Sequence, residues 1–125
     1  KATNYDAAAV ALRALDGPLV VLAGGQAKQG DAGDWIDQLK RQSTAVVLFG
    51  EARDRFAALL DQGDYGGQVL SCDSLAEAVP LAASLAETSS CSGVLLSPAC
   101  ASFDQYRDFE ARGDHFRQLV KALAD

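Results

Sequence analysis

The sequence lacks methionine altogether, and among its 125 residues it has one histidine, one tryptophan, three prolines and three cysteines. Each shortage excludes something. One histidine, His115, and cysteines at 72, 91 and 100 with no Cys-x-x-Cys pair leave too few ligands for a structural zinc site. An odd number of unpaired cysteines argues for reduced thiols, and so for a cytoplasmic setting, where disulfides are rare. Basic residues are also in short supply: 11 Lys and Arg against 17 Asp and Glu give a net charge of −6. A general nucleic-acid binder needs a basic footprint, so nucleic acid is not expected as a partner. No apolar run approaches the roughly 18 residues of a membrane span. The opening KATNYDAAAV lacks the charged-then-apolar layout of a signal peptide, so no membrane partner is expected either.

What is present suits a packed core. Hydrophobic residues make up 49% and charged residues 22%, and the length is that of one domain, residues 1–125. Four short runs read as strands: Leu19–Ala23, Ala45–Phe49, Gln68–Ser71 and Gly93–Ser97. The first, second and fourth are nearly continuous hydrophobics, the pattern of parallel strands covered on both faces. Between them lie stretches with helical spacing. Ala52, Phe56, Leu59 and Leu60 share one face. Leu75, Ala78, Val79, Ala82 and Leu85 share another, and Phe116, Leu119, Val120 and Leu123 a third. Asn4 caps a helix over Tyr5 to Leu15 that Gly17-Pro18 stops. Ser74 and Glu77 form a capping box. Pro80 falls beyond the first turn, which predicts a kink or a late helix start. Alternating helices and strands make an α/β three-layer sandwich, a Rossmann-like arrangement of a mostly parallel sheet with helices on both faces. Ligands bind such sheets at the C-terminal ends of the strands. The unusual stretches there are Gly24–Asp34 and Pro98–Asp108.

Three stretches invite a chemical reading, and each has a plainer one beside it. GGQAKQGD, Gly24 to Asp31, offers exposed N–H groups and Lys28 to an anion, or is simply a tight turn after a strand. It is neither a P-loop nor a dinucleotide fingerprint. KATN, Lys1 to Asn4, sets a charge and a hydroxyl beside a helix N-terminus, or is only a cap. LLSPACASFDQYRDFEARG, Leu95 to Gly113, crowds Ser97, Cys100 and Ser102 after a strand. Ser102 and His115 are 13 residues apart, with no GxSxG elbow to present a nucleophile. A carboxylate clasp built from Ser102 and neighbouring N–H groups is the other use of this stretch. Arg107 and Arg112 also read as plain surface charges, and Phe103, Tyr106 and Phe109 as core anchors.

Taken in order, KATN, the strand followed by GG-x-x-K, and SPACASFDQ-x-x-x-F-x-x-RG resemble the C-terminal domain of the Mur ligases across essentially the whole chain. Within that family the last run favours the branch that adds D-glutamate. KATN resembles the end of a longer motif, D-S-K-A-T-N, so the chain is expected to be a fragment of a larger enzyme. The resemblance implies a three-domain, ATP-dependent amide ligase acting through an acyl phosphate, with UDP-N-acetylmuramoyl-L-alanine held by other domains. ATP and Mg2+ would be bound mainly by a central domain outside this chain, and the fragment alone would be inactive. Carried over by position, Lys1 lies near the ATP phosphates, while Thr3, Lys28, Ser102, Phe103 and Phe109 hold D-glutamate. Against the family's GG-x-D-K-G the stretch reads Gln26, Ala27, Lys28 and Gln29, so it departs at Ala27, where the acidic residue is missing, and at Gln29. Two alternatives stay open: a stand-alone small-molecule-binding module, and another Mur or folylpolyglutamate-type ligase domain.

Overall fold

A computed structural model describes residues 18–24, 32–88, 93–96, 112, 114–116, 118–119 and 121. In chain order these form β1 (Leu19–Gly24), α1 (Gly33–Gln42), β2 (Ser43–Phe49), α2 (Arg53–Gln62), β3 (Gln68–Ser71), α3 (Leu75–Thr88) and β4 (Gly93–Leu96). Arg112, Asp114, His115, Phe116, Gln118, Leu119 and Lys121 are helical as well. The helix expected over Tyr5 to Leu15 lies outside the described residues.

The strands make one sheet in the order β3-β2-β1-β4, and each described pairing is parallel. Side chains alternate across it. Leu19, Val21 and Ala23 of β1 join Val46 and Leu48 of β2 under α1 and α2, with Trp35, Ile36, Leu39, Phe56 and Leu60. Val20 and Leu22 join Ala45, Val47 and Phe49 on the opposite face, under Leu75, Ala78, Val79 and Ala82 of α3. Phe116 and Leu119 pack on that second face. The sandwich therefore has the three layers that the helical spacing predicts, and continuous apolar runs mark the strands whose two faces are both covered. Among the described strands β3 and β4 end the sheet, and β3, whose run lacks the continuous apolar pattern, has every residue exposed. Right-handed crossovers require the connecting helix to change face when the direction of winding reverses. The chain obeys this: α1 and α2 carry it from β1 to β3 on one face, and α3 returns it to β4 across the other.

Local boundaries follow from hydrogen bonds. β2 begins at Ser43, two residues before the apolar run, because the Ser43 backbone N–H and hydroxyl both close α1 on the Leu39 carbonyl. The register with β1 then slips between Leu19 and Val20, passing over Thr44. α3 starts at Leu75, where the capping box predicts it. The Glu77 backbone N–H donates to the Ser74 hydroxyl at 3.4 Å, and the Glu77 carboxylate accepts from the Asp73 backbone N–H at 3.3 Å. A late start at Pro80 is thus excluded, and the helix runs through it to Thr88.

Candidate functional site

The winding reverses between β1 and β4. The chain moves outward from β1 to β2 and β3, then comes back to lie on the other side of β1. Doubly wound sheets bind ligands in the crevice at such a reversal, beyond the C-terminal strand ends. Here the two strands that flank it are hydrogen-bonded neighbours in matched register, with Leu22 beside Leu96. β1 ends at Gly24 and β4 at Leu96 on the same edge. The segments that follow them in the sequence carry Lys28 on one side and Ser102, Phe103 and Phe109 on the other. Those four residues, with Lys1 and Thr3, lie outside the described residues, as do Cys91 and Cys100.

The described part of this edge is tightly specified. A Cβ on Gly24 would fall 1.9 Å from the Phe49 carbonyl oxygen, so no side chain fits there. The first glycine of the pair is therefore required by the neighbouring strand, before any ligand is considered. The Gly24 carbonyl accepts a hydrogen bond at 3.4 Å from the guanidinium of Arg112, 88 residues away. Arg112 is 2% exposed and ranks among the largest fully buried side chains. This corrects its reading as a surface charge. The missed signal is the spacing: Arg112 is four residues before Phe116, so it continues the apolar stripe of the last helix inward. His115 is half-buried, on the flank of that stripe as the spacing predicts.

The next corner along the edge is built from the ends of β2 and β3. Gly50 has φ of 79°, a left-handed turn that glycine accepts without strain. Its N–H donates to the Asp73 carbonyl, and its own carbonyl accepts from the Arg53 backbone N–H and, at 2.9 Å, from the Arg53 guanidinium. The same guanidinium sits 3.5 Å from the Asp73 carboxylate. Cys72, a free thiol beside this corner, has the Leu48 and Ser74 carbonyls each 3.5 Å from its Sγ as acceptors for its one proton. Burial, and then the Glu77 carboxylate, push its pKa above the ordinary thiol value. Among the described residues no three His, Cys, Asp or Glu come together as a metal site would need. No described helix is long and apolar enough to cross a membrane.

These features define a doubly wound parallel α/β domain whose strand order reverses between β1 and β4. Comparison with known proteins narrows the class. A family model described as "Mur ligase, glutamate ligase domain" matches residues 1–100, and the chain belongs to that family. Similar proteins include the UDP-N-acetylmuramoylalanine–D-glutamate ligase of Synechococcus sp. (strain CC9605), 56% identical over 100% of this chain and 27% of that protein. Those of Synechococcus elongatus (strain ATCC 33912 / PCC 7942 / FACHB-805) and Prochlorococcus marinus (strain MIT 9313) are each 52% identical, over 99% and 98% of this chain and 27% and 26% of theirs. The chain thus spans about a quarter of the length of the curated relatives it matches.

Proposed function

We propose that the chain is the amino-acid-binding domain, residues 1–125, of a cytoplasmic ATP-dependent ligase that joins D-glutamate to UDP-N-acetylmuramoyl-L-alanine in peptidoglycan synthesis. The observation that carries the reading is the adjacency of β1 and β4 at the reversal of the sheet. Lys28 follows Gly24 by four residues and Ser102 follows Leu96 by six, so both fall within the chain's reach of one crevice, at no more than about 3.5 Å per residue. The names and full-chain identity of the relatives support the choice of substrate.

D-Glutamate carries two carboxylates, and two separate sets of donors are what it demands. Lys28 takes one carboxylate as a charge-assisted partner. Ser102 takes the other with its hydroxyl. Thr3 reaches the same amino acid from the start of the chain. Phe103 and Phe109 wall the pocket and limit water. Lys1 lies toward the phosphates of ATP, which, bound with Mg2+ mainly outside this chain, supplies the phosphoryl group that activates the acceptor's carboxylate. The work of this domain is to fix the amine of D-glutamate at that activated carbonyl, a gain in orientation rather than in acid–base chemistry. His115 and the cysteines have no step in it.

The test is Lys28→Ala in the full-length ligase. Loss of a charge-assisted hydrogen bond worth about 1.5–3 kcal/mol raises the KM for D-glutamate about tenfold or more. An unchanged KM removes Lys28 from the site. The isolated chain, given ATP, D-glutamate and the UDP-linked acceptor, releases no phosphate; turnover by it alone refutes the division of labour.

A further inference from the structure

We infer that Arg112 is a positioning residue of the D-glutamate site: its buried guanidinium holds the Gly24 carbonyl at the end of β1, four residues before Lys28 in the sequence. The inference rests on the proposed D-glutamate site and adds to it a residue that touches no substrate.

Three observations carry it. First, a guanidinium that is 2% exposed is an expensive way to fill space. An apolar side chain of similar volume would fill it without the cost of desolvating a charge. A charge kept there must be held by hydrogen bonds, and the Gly24 carbonyl is one of its acceptors. Second, Gly24 is where outside support matters most. It has no side chain, it can have none because the Phe49 carbonyl occupies the space, and it is followed by Gly25. Gly24 is the last residue of β1, paired with Phe49 of β2, so a donor on its carbonyl acts where the strand ends. One nitrogen of the planar Arg112 guanidinium supplies that donor at 3.4 Å. Third, Arg112 stands on an anchored element. Phe116 and Leu119 of the same helix pack on the β1 and β2 side chains of the second core. The segment after β4 leads directly into that helix. One hydrogen bond between residues 88 apart therefore joins the end of β1 to the helical residues that follow the Ser102 and Phe109 stretch in the sequence.

The experiment compares Arg112→Lys, Arg112→Gln and Lys28→Ala in the full-length ligase, measuring kcat and the KM of each substrate separately. Arg112→Lys keeps the charge and loses the planar guanidinium; Arg112→Gln loses both. The KM for D-glutamate is expected to rise at least about fivefold in Arg112→Lys and further in Arg112→Gln, because small displacements of positioning groups are costly. The KM values for ATP and the UDP-linked acceptor should stay within about twofold. A merely structural role would lower the amount of active enzyme and leave the KM of one substrate no more affected than the others; that result overturns the inference. If Lys28→Ala leaves the D-glutamate KM unchanged, the site itself is misread. If Lys28→Ala raises it and a folded Arg112→Lys does not, the site stands and Arg112 has no part in positioning it. Should both Arg112 variants fail to fold, amide exchange in the wild-type enzyme decides. Saturating D-glutamate is expected to slow exchange over residues 24–31 and 112–121 together, and protection confined to 24–31 overturns the coupling.

Discussion

Cys72 shows how far one residue's surroundings reach into its chemistry. The thiol has two backbone carbonyls as acceptors for its one proton, and burial and the Glu77 carboxylate both favour its neutral form. The thiolate is the reactive species, so Cys72 should be alkylated more slowly at about pH 8 than a cysteine in an unstructured peptide. Peptide-resolved mass spectrometry reads that rate, and parity with the free peptide would refute the shift. The effect on stability has a definite sign. A thiol whose folded pKa is raised contributes stability that is intact below the ordinary value of 9.0. Above it the unfolded chain ionises first, and the contribution is lost as pH rises through the folded value. The stability difference between the wild type and Cys72→Ser should therefore be flat at neutral pH and change only on the alkaline side. Arg112 is the opposite case, a group whose surroundings the sequence hid. Arginine is so often exposed that its type outweighed its place on the stripe of Phe116 and Leu119. The candidate site residues rest on their motifs and lie outside the described residues, whereas the Arg112–Gly24 bond joins positions 88 apart and no local pattern encodes such a contact.

At the level of elements, the sequence is most informative where one local force dominates. The run Gln68–Ser71 coincides with β3, and the other three runs match β1, β2 and β4 to within two residues. Strand length and two-sided burial leave a strong trace in runs of Val and Leu. The apolar face of α3 was equally plain, and its start was fixed by Ser74 and Glu77. Of the two outcomes Pro80 predicts, the late helix start loses to that signal. The capping bonds and four buried side chains, Leu75, Ala78, Val79 and Ala82, outweigh one missing backbone bond. Thr44 could not have been foreseen, because a register slip depends on how α1 delivers the chain into β2. The cap on α3 can be tested directly. Ser74→Ala leaves the Glu77 N–H without its acceptor and should cost about 0.5–1 kcal/mol, toward the low end for a long, exposed capping bond. Urea unfolding measures it, and an unchanged midpoint would show that the helix start depends on packing alone.

In the whole molecule the two cores are not independent, because β1 and β2 are shared between them. Val20 and Leu22 face α3 while Val21 and Ala23, their immediate neighbours, face α1 and α2. A strand cannot give up one face and keep the geometry of the other, since both are set by the same backbone pleat. The two layers should therefore unfold in a single transition despite the sheet between them. Trp35 gives a reporter confined to one side. It is the chain's one tryptophan, fully buried on the inner face of α1 and 5.1 Å from the Phe56 ring in the first core. Leu75 is fully buried in the second core, across the sheet from it. Truncation of a buried leucine to alanine costs about 2–5 kcal/mol. Leu75→Ala should shift the Trp35 fluorescence transition and the far-ultraviolet circular dichroism transition by the same amount, although the substitution touches neither α1 nor Phe56. A Trp35 transition that stays in place while the dichroism moves would mean that the layers melt separately, and that the shared strands do not bind the domain into one cooperative unit.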